Sequence, residues 1–214
     1  MYLTATACAR ESPATPAPAA KPEAPAARAA ERLVVFLGDS LTAGYGLEAD
    51  QAFPSLVADQ LRARGRSVRI VNAGVSGDTT TGALERLDWL LNQKPDVLVV
   101  GLGANDAFRG KSVASIEDNL RQIVRRGRDA GASVVLLGMR IPTNYGPEYA
   151  EGFAAVYARV AKEERIDLMP FVLEGVGGRP DLNLDDGIHP NAEGERIVAA
   201  GILPYVERAL GSPR

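Results

Sequence analysis

Four short segments of this chain carry side chains able to do chemistry together. They are Gly38-Asp39-Ser40-Leu41, Ser76-Gly77-Asp78-Thr79, Gly103-Ala104-Asn105-Asp106, and Asp185-Asp186-Gly187-Ile188-His189-Pro190. A serine hydroxyl is a poor nucleophile at neutral pH and needs an adjacent base. His189 is the only histidine in 214 residues, so an imidazole-assisted serine reaction must use it. Asp186, three positions earlier, can fold back across the Gly187 turn and accept a hydrogen bond from Nδ1 of His189. That leaves Nε2 free to take the Ser40 proton. Asp185 is the competing orienter. Pro190 suits the first turn of a helix and biases His189 towards extended backbone. Acyl transfer also needs donors for a developing oxyanion. The backbone N–H groups of Ser40 and Gly77 and the side-chain amide of Asn105 are the candidates. Hydrolysis is then expected to rise as His189 loses its proton.

Singly, each segment reads as turn chemistry or a helix cap. Neither a dinucleotide fingerprint nor a Walker A sequence occurs among them. Their joint placement is what matters, and the rest of the chain sets that placement. Short apolar runs at 33–37, 68–71, 97–101, 134–137 and 166–170 read as buried strands. Amphipathic stretches at 53–64, 80–91, 115–130, 149–163 and 191–210 read as helices. Strand–helix alternation repeated five times predicts an α/β chain with a five-stranded parallel sheet covered on both faces. Right-handed crossovers make this a three-layer α/β/α sandwich. In such sheets ligands bind beyond the carboxyl ends of the strands, where strand order reverses. The four segments follow the first, second, third and fifth strands, so all fall on that edge.

Composition excludes several other classes. The chain is 46% hydrophobic and 24% charged, with 24 basic and 27 acidic residues and a net charge of −3. No basic stripe marks a nucleic-acid binder, so none is expected as a partner. No apolar run reaches the ~18 residues of a membrane-spanning helix. One Cys and one His supply neither an intramolecular disulfide nor a Cys/His zinc site, and no EF-hand-like spacing appears. No metal and no cofactor are expected; the partner expected from the Ser, His and Asp chemistry is a small-molecule acyl ester, and the oligomeric state is left open with a monomer favoured.

Residues 1–31 differ from the rest, holding 12 Ala and 5 Pro. They read as a flexible, partly polyproline-like tether ahead of a catalytic domain at 32–214. Cys8, after Thr6-Ala7, resembles the processed end of a bacterial lipoprotein. Only seven residues precede it, fewer than the basic and apolar segments of a signal peptide occupy. The expectation is a periplasmic or cell-envelope location, with membrane contact only through a lipid on Cys8.

The four segments, in this order and on these loops, resemble the blocks of the SGNH (GDSL) hydrolase superfamily, over 33–210. The resemblance implies a flavodoxin-like fold, Ser40 as nucleophile, Gly77 and Asn105 completing the oxyanion hole, and Asp186 and His189 completing the triad. Gly74 is the rival for the oxyanion glycine; Gly77 is preferred because it sits in the Ser-Gly-Asp-Thr run. Asp39 is expected to fix its turn, and Asp106 to act as a cap or supporting partner. Ser76–Thr79, the stretch 140–146 and 185–190 further resemble the bacterial multifunctional thioesterase/lysophospholipase/arylesterase branch. By that likeness the loop 140–149 covers the acyl chain, with Ile141, Pro142 and Tyr145 as substrate wall. The Gly-rich stretch 176–180 is a second loop expected to border the site. The implied function is a serine esterase for short- to medium-chain acyl or aryl esters, thioesters and lysophospholipids. A carbohydrate O-deacetylase and a non-catalytic ligand-binding envelope module are the alternatives.

Overall fold

Unbroken apolar runs make the strands of a sheet buried on both faces, as a parallel sheet requires. The computed structural model describes residues 1–2 and 31–211; Cys8 and almost all of the Ala/Pro-rich leader lie outside the described residues. Five strands, β1 (Arg32–Gly38), β2 (Val68–Gly74), β3 (Val97–Gly101), β4 (Ser133–Leu137) and β5 (Asp167–Met169), form one parallel sheet in the order β2-β1-β3-β4-β5. This is the flavodoxin-like order, and its reversal point lies between β1 and β3. Every residue of β3 is buried, as are positions 33–38 of β1.

The helices are α1 (Ser40–Ala43), α2 (Phe53–Ala63), α3 (Thr80–Leu91), α4 (Ala104–Phe108), α5 (Val113–Asp129), α6 (Pro147–Glu164) and α7 (Ala192–Leu210). Helices α2 and α7 pack together, and α5 packs on both α3 and α6. The boundaries follow caps more than periodicity. Helix α5 begins two residues before the apolar pattern because the Ser112 hydroxyl accepts the Ser115 N–H at 3.2 Å. Helix α6 begins at Pro147, whose fixed φ suits a first turn. Strand β2 runs on through Asn72-Ala73-Gly74, where side chains are too polar or small to show in a hydrophobic pattern.

Register brings the strand ends level. Gly38 of β1 pairs with Gly74 of β2 on one side and Gly101 of β3 on the other. Two of these glycines are required by close approach. A Cβ on Gly38 would lie 1.9 Å from the Thr42 hydroxyl, and one on Gly74 would lie 2.3 Å from the Ala43 backbone nitrogen. The first turn of α1 therefore sits directly on the strand ends and carries Ser40 with it.

Candidate active site

Ser40 opens α1, a helix of four residues closed by Gly44 in the left-handed region (φ 75°). Asp39 caps it: its Oδ1 accepts the Leu41 N–H at 3.1 Å. The hydroxyl of Ser40 lies 2.8 Å from Nε2 of His189. Nδ1 of the same ring lies 2.6 Å from Oδ2 of Asp186. The other carboxylate oxygen, Oδ1, accepts the backbone N–H groups of His189 (3.0 Å) and Ile188 (2.9 Å). Those contacts, the His189 N–H foremost, hold the Asp186 carboxyl down at about 2, so it is ionised at any ordinary pH. An ionised acceptor at Nδ1 assigns the ring's proton to that nitrogen and leaves Nε2 to accept from the serine. Asp185 is exposed and makes no hydrogen bond to the imidazole.

A closed turn supports this corner. Asn183 and Pro190 form an antiparallel bridge, and the Leu184 N–H donates to the His189 carbonyl at 2.8 Å. Between them Gly187 takes φ 68°, a conformation that favours glycine. Asn191 then caps α7 by accepting the N–H groups of Glu193 and Gly194. The turn thus pins both ends of the Asp186-to-His189 segment.

The proposed oxyanion donors come off neighbouring strand ends. Among the described residues, neither the Ser40 nor the Gly77 N–H donates to a protein acceptor. Gly77 has φ 79°, and its carbonyl accepts from the Arg109 guanidinium at 2.9 Å. Asn105, in the first turn of α4, donates from Nδ2 to Oδ2 of Asp39 at 3.3 Å. Asp39 therefore both caps α1 and holds the Asn105 amide. Burial pushes its carboxyl up to about 6 against the pull of the Leu41 N–H. Asp106 is buried and ties the two other loops together. One of its oxygens accepts the Thr80 hydroxyl and the other the Thr80 N–H, each at 2.8 Å. Arg86 adds a clamp, pairing with Asp78 at 2.8 Å and donating to the Gly38 carbonyl at 3.2 Å. Gly74, the rival glycine, is accounted for by its packing against α1.

The serine and imidazole open onto a cavity of ≈ 210 Å³. Its walls are mostly apolar, with Phe108, Met139, Phe171, Leu173 and Ile188 prominent, and Arg140 at one side. Ile141, Pro142 and Tyr145 are not part of this wall, which corrects the expectation for that loop. The chain dives after Arg140, burying Ile141 in the core at 7% exposure. Pro142 then starts an exposed single turn, Thr143–Tyr145. Tyr145 reaches the site only through Phe108, with ring centroids 5.6 Å apart. The stretch 176–180 is displaced as well. Val176 is fully buried, and Gly178 to Pro180 line a separate depression with Asn183 and Asp185.

Two contributions were not expected from sequence. Residues 171–173 form wall, although they follow β5 on the same edge rule that located the other loops. Tyr45, just beyond α1, lies on the His189 ring with centroids 4.5 Å apart. Among the described residues no group of three or more His, Cys, Asp or Glu could hold a metal ion. No described helix is long and apolar enough to cross a membrane.

Residues 36–197 match the model of the GDSL-like Lipase/Acylhydrolase family. An arylesterase of Vibrio mimicus is 42% identical over 186 residues, 86% of this chain and 92% of the relative. Thioesterase 1/protease 1/lysophospholipase L1 of Escherichia coli (strain K12) is 42% identical over 174 residues, 81% of this chain and 82% of the relative. Among solved structures, TesA superposes with a TM-score of 0.81 at 40% identity, covering 84% of this chain and 100% of that one.

Proposed function

The chain belongs to the GDSL-like lipase/acylhydrolase family, and on that premise we propose a serine esterase acting through an acyl-enzyme. The observation that carries this reading is the continuous hydrogen-bonded line Asp186–His189–Ser40 ending at an apolar cavity. Ser40 Oγ attacks the ester carbonyl while Nε2 of His189 takes its proton. Ionised Asp186 holds the ring through Nδ1 and stabilises the imidazolium. The N–H groups of Ser40 and Gly77 and the Asn105 amide receive the oxyanion. Collapse breaks the bond to the leaving alcohol, which takes the proton from Nε2. Water then enters by the reverse proton route, releasing the acid and regenerating the serine.

The cavity's size and apolar wall support short- to medium-chain acyl esters and aryl esters. The names of the relatives support thioesters and lysophospholipids as further substrates. The test is a series of p-nitrophenyl esters from acetate to palmitate, with Ser40→Ala as the blank. A rate that climbs from acetate and falls for the longest chains is expected. Activity confined to acetylated sugars would instead support an O-deacetylase, and failure of a fluorophosphonate to label Ser40 would support a binding module. The leader's composition supports an envelope tether through Cys8, to be tested by loss of detergent-phase partitioning in Cys8→Ser.

A further inference from the structure

Arg140 stands out among the cavity's lining residues because, among the described residues, no acidic side chain answers its charge. Its guanidinium carbon lies 4.6 Å from the centre of the Phe171 ring, and both residues line the cavity that holds Ser40 and His189. It forms no ion pair and no side-chain hydrogen bond among the described residues. The contrast with the outer helices is plain. Arg121, Arg125, Arg128 and Arg159 are all tied to Glu117, Glu163 or Glu164. Arg109, beside the Gly77 turn, is occupied by the Gly77 carbonyl.

Stacking uses only the face of a guanidinium. Its N–H donors point outward in the plane, in a fork whose spacing matches a carboxylate or a phosphate. A lysine would gain little from such an arrangement, whereas a stacked arginine is pre-oriented and loses less side-chain freedom on binding an anion. Arg140 is exposed at the side of the cavity, so its attraction for an anion is open to screening by salt.

We propose that Arg140 is a subsite for an anionic group of the substrate, so that the enzyme favours acyl esters or thioesters bearing a phosphate or carboxylate near the scissile bond. This rests on the esterase reading above and narrows it. The anion could belong to the leaving group or to the acyl group, and the two are separable by experiment.

Three substrates would be compared on wild type, Arg140→Gln and Arg140→Lys: p-nitrophenyl butyrate (neutral), mono-p-nitrophenyl glutarate (carboxylate on the acyl side) and 4-(butyryloxy)benzoate (carboxylate on the leaving side). The quantity read is kcat/KM for each anionic substrate divided by that for the neutral one. A charge-assisted contact predicts that this ratio falls about tenfold in Arg140→Gln, mainly through KM, and is only partly restored in Arg140→Lys, which keeps the charge without the oriented fork. The substrate whose ratio falls tells which side of the ester carries the anion. Added salt should lower the same ratio in wild type and leave it nearly flat in Arg140→Gln. Ratios unchanged by Arg140→Gln for both anionic substrates would overturn the subsite while leaving the esterase intact. No hydrolysis of any of the three by wild type would sink the esterase reading itself.

Discussion

The phenol ring of Tyr45 lies on the imidazole of His189, centroids 4.5 Å apart and planes 35° from parallel. In the proposed mechanism this ring becomes positively charged when Ser40 attacks, and Asp186 at its Nδ1 edge is itself 37% exposed at the side chain. An aromatic face over an imidazolium attracts the charge and keeps water from one side of the ring. Tyr45 is a positioning residue in this sense, acting through His189.

Replacing Tyr45 by Ala should lower kcat about two- to fivefold, the size of an exposed cation–π contact. Tyr45→Phe keeps the face and should restore nearly all of the loss. The discriminating measurement is steady-state kinetics of the three proteins on one p-nitrophenyl ester. If Phe is as impaired as Ala, the hydroxyl and not the ring is responsible.

Asp186→Asn tests the other neighbour of the imidazole. The carboxylate accepts three hydrogen bonds, from Nδ1 and from two backbone N–H groups, and its pKa near 2 keeps it ionised throughout the working range. An amide in its place can donate to Nδ1 and stabilise the wrong tautomer. A fall in kcat on the order of 10³–10⁴ is expected, with the protein still folded. Loss of less than tenfold would mean that another group orients His189.

A variant at Asn105 would separate the proposed oxyanion stabilisation from folding. Its amide is held by Asp39, a buried carboxylate that also caps the helix carrying Ser40. Asn105→Ala should cost about 10²–10³ in kcat with little change in KM or melting temperature. Asp39→Asn should lower kcat and melting temperature together, because one oxygen serves the cap and the other the amide. An Asn105→Ala enzyme of full activity would remove that amide from the mechanism.

Much of this arrangement was legible in the chain because it follows from few rules. Alternating apolar runs and amphipathic stretches specify a doubly wound sheet, and the edge rule then collects Ser40, Gly77, Asn105 and His189 at one end of it. The Asp186-to-His189 spacing was readable because a three-residue turn is local. What escaped was set by packing between distant segments. Helices α1 and α4 are only four and five residues long, too short to show a helical period. Ile141 and Phe171 are both apolar and both follow strands, yet one points into the core and the other into the cavity. Tyr45 meets His189 across 144 positions of sequence, a contact no local pattern encodes.

Glu195 supplies a prediction about stability at a distance from the chemistry. It is 1% exposed at the start of α7, and its Oε2 accepts the Phe53 N–H at 2.7 Å, capping α2 from a neighbouring helix. Burial pushes its carboxyl up to about 8 from an ordinary value of 4.5. The sign follows from linkage. The native state prefers the protonated acid, so the stability this gives is complete below about pH 4.5 and is lost as pH rises towards 8. The loss is on the order of a few kcal/mol, since each unit of difference in pKa is worth about 1.4 kcal/mol. Asp39, raised to about 6, acts with the same sign over a more acid range, and it cancels when one protein is subtracted from the other. Glu195→Gln keeps an oxygen acceptor for Phe53 and cannot ionise. Its melting temperature should match wild type below about pH 4.5 and exceed it increasingly up to pH 8, measured by scanning calorimetry at fixed ionic strength. Parallel pH curves for the two proteins would show that the Glu195 carboxyl is not forced to ionise inside the fold.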